Sequence, residues 1–408
     1  MSTETENRFQ TALKEIFSTS ATRTVLSVFL GFVVGAIFMV FSNEDVLKAA
    51  QYFTARPMDT IAASWSAIAD GYSALFRGAI YNYERADDPV AAFRPITETL
   101  RFAAPLIAAG LGIALGFRVG LFNIGGNGQL MFGVLWATWI STRVELPFGI
   151  HLVVAILMAI LGAALLGALV GFLKARTGAH EVIVTIMLNY IAANLLTYFF
   201  REESLLRETG GGGTPKSDAP AITAQLPKLL GEDYTLHLGF ALAIIAVVVY
   251  WWLMERSTIG YRFRMVGHNP HAARTAGINV ERTYMYAMAA SAAFVGIAAA
   301  NQALGATSGL SPSVDAGIGF DGITVALLGG STAPGVLMAG LLFGAFKAGS
   351  APMQVMGLSP EVLGIVQGSI VLFIAAPPLV RAIFRLPKPQ KTTVLKDLVK
   401  RSSKGEEK

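Results

Sequence analysis

The chain has no cysteine and little charge. Only 14% of its 408 residues are Asp, Glu, Lys or Arg, where soluble domains carry about 25%. Without cysteine there is no disulfide and no thiolate metal site. The shortage of charge, with 53% hydrophobic residues, excludes a solvated globule, so most side chains face lipid or other apolar helices. No cleavable signal is expected: residues 1–23 are polar and long, and no A-x-A site follows the first apolar run. Neither an HExxH motif nor a Ser/His/Asp constellation occurs, and no carboxylate cluster lies in the apolar stretches. The chain offers no catalytic chemistry of its own.

What is present is a series of long apolar runs, so the expected fold is an all-α polytopic membrane protein with about ten transmembrane helices, some broken. The formal net charge of +5 (32 − 27) reports loop bias in such a chain, and no nucleic-acid partner is implied. Residues 1–23 read as a cytoplasmic tail, 24–380 as the transmembrane domain and 381–408 as a basic cytoplasmic tail, either solvated or laid against anionic membrane lipid. Both termini are expected inside. Residues 42–98 hold more acidic than basic side chains, which suits the outer side, and 58–80 mix aromatic and polar residues as an interfacial helix does. A polar loop at 201–236 also belongs outside. Clean spans are expected near 24–41, 151–173, 182–200, 238–254, 283–304 and 362–374.

Two stretches are interrupted. Pro105, Gly110, Gly112, Gly116 and then FRVGLFNIGGNGQ break the run from 99 to 142. The second interruption lies around 317–348, where apolar pieces at 318–328 and 335–348 flank GGSTAP. Non-helical backbone at membrane depth is tolerated only inside protein or along a watery cavity, and paired interrupted segments mark transport pathways built from related repeats. The repeat between the halves is faint. Asn123, Asn127 and Gln129 in the first interruption, Asp321 in the second and Asn189 in a neighbouring span are the candidate pathway residues. Close packing or a cytoplasmic turn, and for Asn189 a helix–helix hydrogen bond, is the competing reading. Glu181 opens its segment, where a carboxylate suits the helix dipole. Gly112-x-x-x-Gly116, Gly167-x-x-x-Gly171 and Gly340-x-x-x-Gly344 read as packing faces.

Residues 255–282 form a loop with five arginines against two glutamates, placed in the cytoplasm by the positive-inside rule. Asn269-Pro270 can cap and start a short helix running to about Ala276, with Gly277 as its stop. Such a loop either only sets topology or presents a docking helix. Two nucleotide-like spellings fail on context. In Gly210-Gly-Gly-Gly-Thr-Pro215-Lys216-Ser217 a proline replaces the second glycine, so a flexible loop is expected; Gly317-x-Gly319-x-x-Gly322 has no βαβ surroundings.

In this order, GLFNIGGNGQLMFG, EVIVTIMLNYIA, AARTAGINVERTYM and GFDGITVALLGG resemble the permease subunits of binding-protein-dependent ABC importers. The nearest branch is that for simple sugars and nucleosides, related to ribose and branched-chain amino-acid permeases. The resemblance covers about residues 95–375. It implies a multi-pass protein of the bacterial inner membrane, paired with a second copy or a sister permease. An extracytoplasmic solute-binding protein would supply a nucleoside or simple sugar. A cytoplasmic ATPase would use the ATP, and this chain would bind no cofactor or metal. Carried onto this sequence, the coupling helix is about 269–277, with Asn269, His271, Arg274 and Gly277, and Asn123, Asn127 and Gln129 lie near the path. The alternative is an ion-coupled secondary transporter in which Glu181 or Asp321 carries the coupling ion.

Overall fold

The computed structural model describes residues 20–202, 205–209, 214–359 and 361–385. The polar tail to residue 19, the glycine run at 210–213 and the basic tail from 386 lie outside the described residues. Among those described there is no strand, only two isolated bridges. The chain divides into two compact units, one made of residues up to Ile37 and from Gly364 on, the other of Phe38–Leu363.

The smaller unit takes in most of α1 (Ser20–Ser42) and of α14 (Glu361–Ala375), and all of α15 (Pro377–Phe384). Gly31 of α1 sits directly against the Ile370 side chain. α14 and α15 meet at a bend of 92°, so the crossing expected at 362–374 ends in a corner. Its cause is Pro377-Pro378. Neither proline offers an N–H, and Ala376 before them leaves the helical region (φ −114, ψ 66).

The larger unit begins with α2 (Glu44–Ala50), capped by Asn43, and α3 (Pro57–Ala79). α3 lies along α13 (Ala333–Val355), with Leu75 over Gly349 and Pro352 against Gly78. α4 (Pro89–Arg118) follows, its first turn held by Asp88, whose Oδ1 accepts from the amides of Val90 (3.0 Å) and Ala91 (3.3 Å). Next come α5 (Gly126–Arg143), α6 (Ile150–Thr177) and α7 (Glu181–Arg201). α8 (Gly239–Trp251) runs on into a π turn at Trp252–Arg256. The chain then forms α9 (Thr258–His268), α10 (Pro270–Thr275), α11 (Val280–Leu304) and α12 (Ile318–Leu328) before α13. Among the described residues, seven helices, or eight counting the bent pair as one, are long and apolar enough to cross a membrane. The 18-residue α5 and the short α12 bring the total close to the ten expected.

α4 is the axis. The break expected at Pro105, Gly110 and Gly112 does not occur: the helix runs unbroken for 30 residues through Pro95 and Pro105. α8, α11, α12 and α13 all pack on it, and this enclosure holds a helix that its own composition would weaken. Small residues permit the approach, because packing rather than water exclusion draws helices together in lipid. Gly112 faces the carbonyl of Ser291 on α11, Gly340 and Gly344 of α13 face Ile107 and Ala103, and Gly167 and Gly171 of α6 lie on the backbone of α11. Gly116 is the exception, turned toward Leu121 of its own chain.

The loop between α7 and α8 is tied down from Ser217 onward. Ser217 exchanges bonds with Leu310 (3.0 Å each way), Ala221 N–H donates to Ser141 O (2.9 Å) and Leu226 N–H to Leu304 O (2.9 Å). Of the flexible loop expected at 210–217, the described end is held: Lys216 O accepts from Glu208 N–H (2.8 Å) and Ser217 bonds Leu310.

The α6–α11 contact yields a direct expectation. Gly167→Leu forces a side chain into the Met288 carbonyl and should cost about 1–3 kcal/mol, read as a lower Tm in detergent. Gly364→Ala, where a methyl group meets nothing within 4 Å, should leave the Tm unchanged or slightly higher.

Candidate functional site

The chain between α4 and α5 turns back into the helix bundle. Gly120, at φ +77, makes the turn, a conformation that costs other residues about 1–2 kcal/mol. Asn123 beyond it is fully buried. Its Nδ2 donates to Gln129 Oε1 (3.0 Å) and Ser291 Oγ (2.9 Å), while its Oδ1 accepts from Gln129 Nε2 (3.1 Å) and Gly125 N–H (3.0 Å). Ser291 in turn donates to Gly112 O (2.7 Å). Ser291 lies 11 residues into α11, about 16 Å along its axis, so this clasp sits well inside the bundle. It joins α4, α5 and α11. Asn189 adds α7, its Oδ1 accepting from Gly128 N–H (2.8 Å) and its Nδ2 donating to Ile124 O (3.0 Å). Asn123, Gln129 and Asn189 are thus occupied with one another or with the backbone.

Asn127 differs. It is 8% exposed, and its Oδ1 has no partner among the described residues. The first turn of α12 approaches here so closely that a side chain at Gly319 would overlap Asn127. The N-termini of α5 and α12 therefore meet, which brings two positive dipole ends to one place, while the amides of Gly128, Ile318, Phe320 and Asp321 are already bonded within the protein. α12 is set in position by Ala316 (φ 43) and Gly317 (φ 74), two consecutive left-handed residues. Lys347 of α13 holds them, donating to Ala316 O (3.0 Å) and pairing with Asp321 (2.7 Å). Two positive helix ends beside one unpartnered acceptor form a setting for the hydroxyl groups of a polar solute. Both carboxylates considered for an ion-coupled carrier are neutralised by lysine: Asp321 by Lys347, and Glu181 by Lys174 (2.6 Å). Among the described residues no group of three His, Asp or Glu could hold a metal ion.

At the arginine-rich end, Asn269 caps α10, accepting from the amides of His271 (2.9 Å) and Ala272 (3.1 Å). Gly277 (φ +80) ends it, with Ile278 N–H returning to Ala273 O (3.0 Å). Arg274 forms an ion pair with Glu281, and His271 is exposed. α9, which Ser257 caps by accepting from Gly260 N–H (2.9 Å), is not among the helices expected from the sequence. α9 matters because Gly267 lies against the Arg118 carbonyl and Gly120. The basic loop thus touches the turn that leads to Asn123. Glu255 reinforces the joint, paired with Arg118 (2.6 Å) and Arg264 (3.9 Å). Ser291 and Lys347 were also missed. Ser291 gave no sequence signal, whereas Lys347 gave one, as a lone ionisable group in an apolar helix.

The model of a family described as the branched-chain amino acid transport system permease component matches residues 96–375. The chain is 35% identical to the guanosine ABC transporter permease protein NupP of Bacillus subtilis (strain 168), covering 88% of this chain and 94% of that one. It is 32% identical to the nucleoside ABC transporter permease protein NupB of Lactococcus lactis subsp. cremoris (strain MG1363), over 78% and 86%. It is also 32% identical to the glucose ABC transporter permease protein TsgB13 of Haloferax volcanii, over 68% and 75%. No solved structure matches.

The two asparagines of the re-entrant segment should separate on substitution. Asn123→Leu strands Ser291, Gln129 and the Gly125 amide, at about 1–3 kcal/mol for each group left unsatisfied, and should lower the Tm sharply. Asn127→Leu removes no bond among the described residues and should leave the unfolding free energy within about 1 kcal/mol of wild type, with little change in Tm.

Proposed function

The chain belongs to the permease-component family of branched-chain amino acid transport systems, and we propose that it is the membrane subunit of an ATP-driven importer of nucleosides. The observation that carries the cargo is the near full-length likeness to a guanosine permease protein, supported by the second nucleoside relative. The glucose relative makes simple sugars the neighbouring class. Energy comes from a separate ATPase, and this chain carries no catalytic or cofactor site. An extracytoplasmic binding protein delivers the solute, and a second copy or a sister permease completes the path.

The arginine-rich end faces the cytoplasm, as the positive-inside rule requires. The ATPase engages α10 and its flanks through Asn269, His271, Arg274 and Gly277. Its closure shifts α9, which bears on the Arg118–Gly120 turn and so on the segment carrying Asn123, Asn127 and Gln129. Asn189 and Asp321 steady the two half-helices around the solute path. The motor needs only a different affinity for two orientations of the permease to drive alternation.

Uptake of labelled guanosine by cells should stop on ATP depletion and persist when an ionophore collapses the ion gradients. The reverse pattern would sink the ATP-driven reading. Arg274→Glu should abolish uptake with membrane insertion intact; normal uptake by that variant would remove α10 from the motor contact.

A further inference from the structure

At the end of the larger unit away from the arginine-rich loop, the folded segment after Ser217 encloses a cavity of about 490 Å³ with α4, α11 and the Gly305–Thr307 turn. Small-molecule sites occupy about 300–1,000 Å³. His237 lines this cavity and is only 7% exposed. Its Nδ1 accepts from Gly239 N–H (3.1 Å), so the hydrogen of the neutral ring is on Nε2, which has no partner among the described residues. Burial, with the Arg101 charge adding to it, holds this imidazole down to about 4, and it stays a neutral donor at physiological pH. Thr235 Oγ1, also on the wall, is buried without a partner. Gln225 spends its Nε2 on Pro220 O (2.9 Å) and keeps Oε1 as an acceptor.

The charges around these groups cancel. Arg101 is paired with Glu98 (2.8 Å), and Lys228 with Glu232 (2.5 Å). No surplus cation remains for a phosphate and no free carboxylate for an ammonium group. Phe148 and Ile222 provide an apolar wall, suited to the face of a planar or pyranose ring.

We infer that this cavity is a receiving site for a neutral, hydroxyl-rich solute of the nucleoside or monosaccharide class, bound through His237, Thr235 and Gln225 ahead of the Asn127 position. The site rests on the transport reading above, which supplies a reason for such a solute to arrive at this end.

The test is direct binding of guanosine, guanosine monophosphate and glucose to the purified full-length chain in nanodiscs, with two variants. His237→Phe keeps the ring and removes the donor. Ala306→Trp fills the cavity from its rim, and keeps the test valid if the buried substitution misfolds. Wild type should bind guanosine, and at least about tenfold more tightly than the monophosphate; each folded variant should weaken guanosine binding about tenfold or more. Glucose binding in place of guanosine, lost in the variants, would uphold the site and overturn the nucleoside cargo. Unchanged binding in the variants, equal affinity for the monophosphate, or no binding of any probe would overturn the site.

Discussion

The structure depends on satisfying backbone that leaves the helix inside an apolar bundle. Between α4 and α5 the chain passes through Asn123 and Ile124 with no helical partners for its amides and carbonyls. Hydrocarbon offers none either. Side-chain amides fill the gap: Asn123 takes the Gly125 amide, and Asn189 takes both Ile124 O and Gly128 N–H. Asn123 serves three partners and Asn189 two, so satisfying the segment also links α4, α5, α7 and α11. The break in the helix and the cohesion of the bundle have the same origin.

That arrangement leaves one position different from the rest. Four amide and hydroxyl side chains around the re-entrant segment are engaged with protein. Asn127, at the junction of two helix N-termini, keeps an oxygen without a partner. An unsatisfied buried acceptor is unfavourable in a resting protein and is expected where a ligand passes. Lys347 answers the same problem in α12 differently, holding a left-handed start by its carbonyl and pairing with the neighbouring carboxylate.

Local chemistry was legible in the sequence. The bounds of α12 follow from a short apolar run between glycines, and the Asn269-Pro270 start of α10 and its glycine stop from capping rules acting over a few residues; the structure has all of them. Two kinds of feature were not legible. Pro105 and its neighbouring glycines read as breakers because propensity describes a helix alone, while α4 is enclosed by four others. The Asn123–Ser291 bond spans 168 positions, and no local pattern distinguishes Ser291 from any other small polar residue. The tying of the α7–α8 loop also depends on distant carbonyls, Ser141, Leu304 and Leu310, that only the fold brings near. Family resemblance put Asn123, Asn127 and Gln129 together near an expected path, and nothing in it separated Asn127, whose oxygen has no partner among the described residues, from the amides beside it.

The contact between α9 and the re-entrant turn has a mechanical consequence. Gly267 meets Gly120 and the Arg118 carbonyl backbone to backbone, with no side chain between them. Side chains ordinarily absorb small displacements by changing rotamer, as a loose gear tooth takes up the first part of a turn. Here that backlash is missing. A shift of α9 by a fraction of an ångström arrives undiminished at the turn, so a lever only 11 residues long can act through a stroke much smaller than a side chain.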